Sequence, residues 1–143
     1  MSLADVIAQS ADRLETLVPA VLTKVYATPP QAAVSAGMLP AVFQRPDTGT
    51  VEYTASQRVV LHQFHVIGLV SRSEELPTDF SAAMPLLEPL LAVFEADTSF
   101  STPTYYDAKV IDYDIGPVTY LGAFYLGLAL TVQVKEKTAV SMS

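Results

Sequence analysis

Two histidines, His62 and His65, are the side chains best suited to acid–base or metal chemistry, because the chain has no cysteine. They lie three positions apart in the apolar run Arg58–Val70. Successive side chains of a strand point to opposite faces, so this spacing places the two rings on opposite sides of a strand. They therefore cannot bind one metal ion together, and a structural or interface role is favoured for each.

Three aspartates, Asp107, Asp112 and Asp114, form the best carboxylate cluster. Asp112 and Asp114 are two positions apart and share a strand face, where they could act as an acid–base pair or bind a cation. The alternative is a solvated hairpin end whose charges prevent edge-to-edge pairing, and this alternative is favoured. No G-x-S-x-G, P-loop or dinucleotide motif is present. The sequence thus predicts no catalytic residue, no metal site and no cofactor.

Composition restricts the possible partners. The net charge is −7, from 15 acidic and 8 basic residues. Such a chain repels phosphate backbones, so sequence-specific binding of nucleic acid is not expected. Half of the 143 residues are hydrophobic and only 16% are charged. This is apolar for a free monomer and indicates that part of the surface meets another subunit.

Helical periodicity predicts three helices. The first runs from Leu3 to Val18. The second is a two-turn helix between Thr28, where a capping box begins, and Gly37, a glycine of the kind that ends helices. The third covers Thr78–Asp97. It contains Pro85 and Pro89, which remove backbone donors, so a kink or a break near residues 83–85 is expected.

Strands are predicted from period-two alternation and β-rich composition. They cover Ala20–Ala27, Leu39–Gln44, Thr50–Thr54, Arg58–Val70, Tyr105–Tyr113 and Val118–Lys135. Turn residues at Arg45–Gly49 predict a hairpin between the second and third strands, and those at Asp114–Pro117 predict one between the last two. Arg58–Val70 is apolar on both faces, which indicates a central strand.

The uncharged segment Ile115–Val134 is long enough for a membrane helix. Its glycines, Pro117 and its branched and aromatic residues favour a strand instead, and no membrane association is expected. The predicted fold is one α+β domain, residues 1–143. It has a mixed or antiparallel sheet of about five to six strands, with helices packed mainly on one face.

The order of these elements resembles that of the tail terminator (tail completion) proteins of long-tailed bacteriophages, within the wider group of neck and head–tail joining proteins. The resemblance covers nearly the whole chain. It is carried by the segments VYATPP, MLPAVFQRPDTG, RVVLHQFHVIGLV and IDYDIGPVTYLGAFYLGLALTVQVK. Stopper and adaptor proteins of the same neck share these features.

The resemblance implies a homohexameric ring in the virion, at the tail or neck, assembled in the host cytoplasm. The ring would cap the tail tube, binding the tail tube protein on one side and the head-completion or connector protein on the other. DNA would pass through it, and an acidic ring would let DNA slide without sticking.

Exposure and composition, independently of the resemblance, predict two interface regions. They comprise Pro46, Asp47, Thr48, Gly49, Val51 and Tyr53 at a projecting hairpin tip, and Tyr105, Asp107 and Tyr125 at a tyrosine-rich end. The alternative function is a small enzyme, or a ligand- or cation-binding module, that uses the acidic, tyrosine-rich hairpin end.

Overall fold

A computed structural model describes residues 3–73, 80–95 and 105–139 of the chain. Within these ranges two helices, α1 (Leu3–Leu14) and α2 (Met84–Glu95), accompany a mixed sheet of six strands. The strands are β1 (Lys24–Tyr26), β2 (Ala41–Pro46), β3 (Thr50–Tyr53), β4 (Gln57–Ser73), β5 (Tyr105–Tyr120) and β6 (Ala123–Ala139). The predicted α+β class and strand number are confirmed.

The sheet has the order β1-β2-β4-β6-β5, with β3 also paired to β4. β1 runs parallel to β2, and the remaining pairs are antiparallel. β4 pairs with β6 from Gln57–Ala139 to Ser73–Phe124, interrupted only by an irregularity between Leu69 and Ser71. The prediction that β4 is central is therefore confirmed.

The predicted hairpin between β2 and β3 is wrong. Both strands pair with the same edge of β4, since Pro46 lies opposite Phe64 and Thr50 lies opposite Leu61. They are two parts of one interrupted strand, and the true hairpin joins β3 to β4. Residues 47–49 interrupt the strand, with Gly49 so close to β4 that a Cβ would lie 2.5 Å from the Leu61 carbonyl oxygen.

The predicted turn at Asp114–Pro117 is also wrong, because β5 continues to Tyr120. The turn comprises Leu121 and Gly122, whose φ angles of 49° and 80° are both positive. Two-residue loops of this kind match the right-handed twist of the flanking strands. Pro117 is accommodated because β5 is an edge strand, where a missing backbone donor need not break a ladder.

The first and third predicted helices are present with different bounds. The first becomes α1, followed by a short 3₁₀ turn at Glu15–Leu17. α2 begins at Met84 after a turn, which confirms the break near residues 83–85, and Pro85 occupies the first turn, where proline is tolerated. Pro89 lies inside α2. Positions 78, 79, 96 and 97 fall outside the described residues.

The predicted helix between Thr28 and Gly37 is not formed. Only a 3₁₀ turn at Ala36–Met38 is present, and the predicted strand before it shrinks to β1. Residues 27–39 lie over the sheet instead, where the Val34 amide donates to the Tyr125 hydroxyl at 2.9 Å and that hydroxyl donates to the Val34 carbonyl at 3.0 Å. These tertiary hydrogen bonds outweigh the local helix signals.

α1 and α2 pack on one face of the sheet. The buried strand residues of this covered face are Val25, Val42, Phe64, Val66, Ala108, Leu128, Leu130, Val132 and Val134. The helices contribute Val6, Ile7, Ala11, Leu14, Leu86, Leu90 and Phe94. The period-two prediction for β6 is thus confirmed for its apolar side. None of the helices in the described ranges is long and apolar enough to cross a membrane.

Among the described residues, the opposite face is covered only near the β5–β6 turn. There a second cluster contains Val34, Phe43, Leu69 and Tyr125. The sheet curves over this cluster, because the Tyr120 ring on β5 lies 4.8 Å from that of Phe43 on β2, although two strands separate β5 from β2. The remainder, called the open face below, carries Gln63 and His65 of β4 and Thr131, Gln133 and Lys135 of β6.

Candidate assembly surface

A polar cluster lies where the interruption between β2 and β3 meets the open face. The Asp47 carboxylate oxygen Oδ2 lies 3.1 Å from Nε2 of His65. The same oxygen accepts a hydrogen bond of 2.9 Å from Nε2 of Gln63. The other ring nitrogen of His65, Nδ1, lies 3.2 Å from the Thr131 hydroxyl. The cluster thus ties three segments of the chain together through side chains.

The carboxyl group of Asp47 is held in its charged form. A hydrogen bond from the Thr48 backbone lowers the pKa of Asp47 below its ordinary value of 3.8, and the Gln63 hydrogen bond acts in the same direction. Burial raises the pKa by less than either hydrogen bond lowers it, and the positive field of His65 and Arg45 adds still smaller effects that lower it. Residues 47–49 are therefore anchored by a carboxylate that stays ionised at neutral pH.

The order Thr131–His65–Asp47 has the chemical types of a nucleophile, a base and an orienting carboxylate. Thr131 is poorly placed to attack a substrate, because it is only 8% exposed and lies on β6, which is paired on both sides. Paired strands use their backbone donors in the ladder, so β4 and β6 themselves offer no pair of amides for an oxyanion hole. This geometry favours a structural role for the cluster.

His62 lies on the covered face, opposite to His65, as the sequence predicts. Its Nε2 lies 3.3 Å from Oε1 of Glu136, which is buried. The two histidines therefore belong to separate clusters. Among the described residues no group of three or more histidine, aspartate or glutamate side chains could hold a metal ion.

The predicted interface residues fall into four groups. Val51 is 54% and Tyr53 is 63% exposed, and Pro46, Thr48 and Gly49 are also exposed, although no projecting hairpin tip carries them. Asp47 is half-buried in its cluster. Tyr125 is fully buried and bonded to Val34, so its predicted place on the surface is wrong. The side chains of Tyr105 and Asp107 lie outside the described residues.

β5 forms one complete edge of the sheet. It exposes Ile111 (45%) and Tyr113 (57%), together with the carboxylates of Asp112 and Asp114. Ile111 and Tyr113 were not among the predicted interface residues. The register shifts between Val110 and Asp112, so a strict period-two reading of the sequence misplaces the side chains that follow.

The opposite edge is built from β1, the end of β2, and β3. It exposes Lys24 and Arg45 beside Val51 and Tyr53. Lys24 Nζ lies 5.6 Å from the centre of the Tyr26 ring, a cation–π distance. An apolar groove of about 360 Å³ adjoins this edge, lined by Leu3, Ala4, Ile7, Ala8, Ala27, Thr28 and Pro46.

The sequence matches no protein-family model, and no curated protein is significantly similar to it.

Proposed function

We propose that this protein is a structural assembly protein that associates head to tail with copies of itself to form a ring. The observation that carries the proposal is the pair of unlike, exposed sheet edges. One is the 16-residue strand β5, with Ile111 and Tyr113, and the other carries Val51 and Tyr53. A ring requires two different surfaces that fit each other, whereas a twofold dimer uses one surface twice.

Within this class we propose a phage tail terminator. The support is the resemblance in element order noted from the sequence, together with the α+β fold. In this role a homohexamer caps the tail tube and joins it to the head connector, binding the tail tube protein and the head-completion protein. It is assembled in the host cytoplasm and remains in the tail or neck of the virion. The net charge of −7 supports DNA passage without sequence-specific binding.

The decisive experiment measures mass and tube binding together. Size-exclusion chromatography with light scattering, and native mass spectrometry, should give a six-fold particle, either alone or after addition of purified tail tubes. Electron microscopy should then find density at one end of each tube. A protein that stays monomeric at all concentrations, and that leaves tube ends bare, would contradict the proposal.

A second candidate, a small hydrolase, is favoured by one observation, the contact series from Asp47 through His65 to Thr131. Its test is turnover of activated esters by the purified protein. Activity that disappears in His65→Ala and persists in His62→Ala would support it, because only His65 contacts the threonine hydroxyl. Equal rates in the two variants would contradict it.

A further inference from the structure

Side chains that lie directly opposite one another on neighbouring strands form rows across the open face. One row runs from Asp112 on β5 through Thr131 and His65 to Arg45 on β2. The charges at its two ends have opposite sign, and both end residues are exposed. The row therefore presents an acid at one edge of the sheet and a base at the other.

The adjacent row has the reverse arrangement. It starts at Lys109 on β5 and passes through Gln133 to Gln63. Gln63 is bonded to Asp47 twice, because its carbonyl accepts from the Asp47 amide at 3.0 Å and its side chain donates to the Asp47 carboxylate at 2.9 Å. This row therefore ends in a base on the β5 side and an acid on the β2 side.

A third row, on the other side of the first, repeats the pattern of the first. It begins at Asp114 on β5, crosses Ala129 and Ile67, and reaches Phe43 and Tyr26. The positive charge at its far end is that of Lys24, which lies over the Tyr26 ring. Three consecutive rows thus carry opposite charges at their two ends.

We propose that the β5 edge of one copy docks against the β1–β2 edge of the next, with the ends of matching rows in contact. Asp112 then meets Arg45, Lys109 meets Asp47, and Asp114 meets Lys24. Neighbouring strands lie about 4.8 Å apart, so opposite side chains of two docked edges are within reach of an ion pair. This inference rests on the proposed ring and identifies the surfaces that close it.

A second copy fits this pattern better than another partner, because both halves of it lie on one chain. Copies in a closed ring are related by rotation alone. When the strands run parallel to the ring axis, each row runs around the ring. The two ends of one row therefore lie at the same position along that axis. A twofold contact of β5 with β5 centred on Tyr113 would instead place Asp112 opposite Asp114 of the copy, and like charges directly opposite are unfavourable.

Side chains, rather than backbone pairing alone, set the register of the contact. β5 has shifts in register on both sides of Lys109 and Val110, between Tyr106 and Lys109 and again before Asp112. Such irregularities prevent a neighbouring strand from pairing continuously along an edge. The order base, acid, acid along β5 (Lys109, Asp112, Asp114) matches the order acid, base, base on the other edge at all three positions in one alignment only.

The test uses charge reversal at the central pair. Asp112→Arg and Arg45→Asp should each weaken self-association about tenfold or more, since each places like charges at the contact. The control Asp12→Arg makes the same charge change as Asp112→Arg at an exposed position of α1, a helix that belongs to neither sheet edge, and should assemble as the wild type does. Light scattering against protein concentration, with and without tail tubes, gives the association constant. Circular dichroism confirms that each variant is folded.

Mixing the two variants provides a readout that damage to the fold cannot imitate. The reversed edge of Asp112→Arg fits the reversed edge of Arg45→Asp, and their unchanged edges also fit, so an equimolar mixture should recover the wild-type particle. Native mass spectrometry should find the two chains in equal numbers. The double variant should also assemble by itself, because it exchanges the charges of the pair.

The outcomes separate this inference from the proposed function. If the wild type forms rings and both single variants form them equally well, the row pairing is wrong and the ring proposal stands. If the single variants fail and neither the mixture nor the double variant recovers assembly, the pairing is also wrong. If the wild type remains monomeric with and without tubes, the proposed function fails and this inference fails with it.

Discussion

The two faces of the sheet use neighbouring residues of the same strands in opposite ways. On the covered face Leu130 of β6 is fully buried beneath the helices beside Val66 of β4. One residue further along, Thr131 faces the open side and contacts His65 through a hydrogen bond. The covered face provides non-directional burial, whereas the open face provides directed polar contacts and charges. The first stabilises the fold, and the second is suited to select a partner.

The largest expected effect is on the covered face. Leu130→Ala should lower the free energy of unfolding by about 2–5 kcal/mol, because it removes buried methyl groups and leaves a cavity. Gln133→Ala, on the open face of the same strand, should change it by no more than about 0.5 kcal/mol. Urea unfolding at one fixed protein concentration measures both. Similar losses for the two variants would show that the faces do not differ as described.

The covered end of the second face depends on hydrogen bonds as well as burial. Tyr125→Phe removes the hydroxyl that bonds both the amide and the carbonyl of Val34. The expected loss is about 2 kcal/mol of unfolding free energy, because two buried backbone groups lose their partner. Tyr113→Phe, at an exposed position on β5, is the matched control and should be neutral. An equally neutral Tyr125→Phe would mean that apolar packing alone holds residues 27–39 on the sheet.

The turn between β5 and β6 allows a stabilising change. Leu121 has a φ of 49°, which is unfavourable for a branched apolar side chain, and it precedes Gly122. Leu121→Asn creates the Asn-Gly pair preferred in such turns and should raise the melting temperature, with a gain of about 1 kcal/mol. Leu121→Val should lower it, since a β-branched residue tolerates positive φ least. If the two substitutions do not shift the melting temperature in opposite directions, the result would argue against this turn geometry.

The smallest effect is expected in the polar cluster, and it depends on pH. Because the folded-state pKa of Asp47 lies below its ordinary value of 3.8, ionised Asp47 stabilises the fold above about that pH. The contribution disappears as the pH falls through the lower folded-state pKa. Asp47→Asn should therefore be less stable than wild type at pH 7, and the difference should diminish in acid. Chemical denaturation at several pH values measures it, with Asp12→Asn as the exposed control. A difference that is constant with pH would contradict this role.

The sequence is sufficient to predict the fold class, the central position of β4 and the covered face of β6. These depend on long, regular apolar patterns, which local irregularities cannot obscure. The helix expected between Thr28 and Gly37 failed because its capping signals are local, whereas Val34 is held by Tyr125, 91 residues away. No periodicity in either segment indicates that contact.

The candidate surface was predicted only in part. Val51 and Tyr53 are exposed as expected, but Tyr125 is buried because the sheet curves at that end. On the β5 edge the exposed Ile111 and Tyr113 were not predicted, since the register shift after Val110 is invisible to a period of two. The charge rows need the pairing of four strands, and a single sequence does not determine which strands are neighbours.

The pairing of β4 with β6 has a consequence for synthesis on the ribosome. Gln57 pairs with Ala139, so the middle of the sheet cannot close until nearly all of the 143 residues have been translated. Until then β4 can pair only with β2 and β3, and its other edge remains without its native partner. Long-range strand pairing of this kind is slow and exposes nascent chains to aggregation. Yield during overexpression should therefore depend on temperature and chaperone supply more than on the stability of the finished domain.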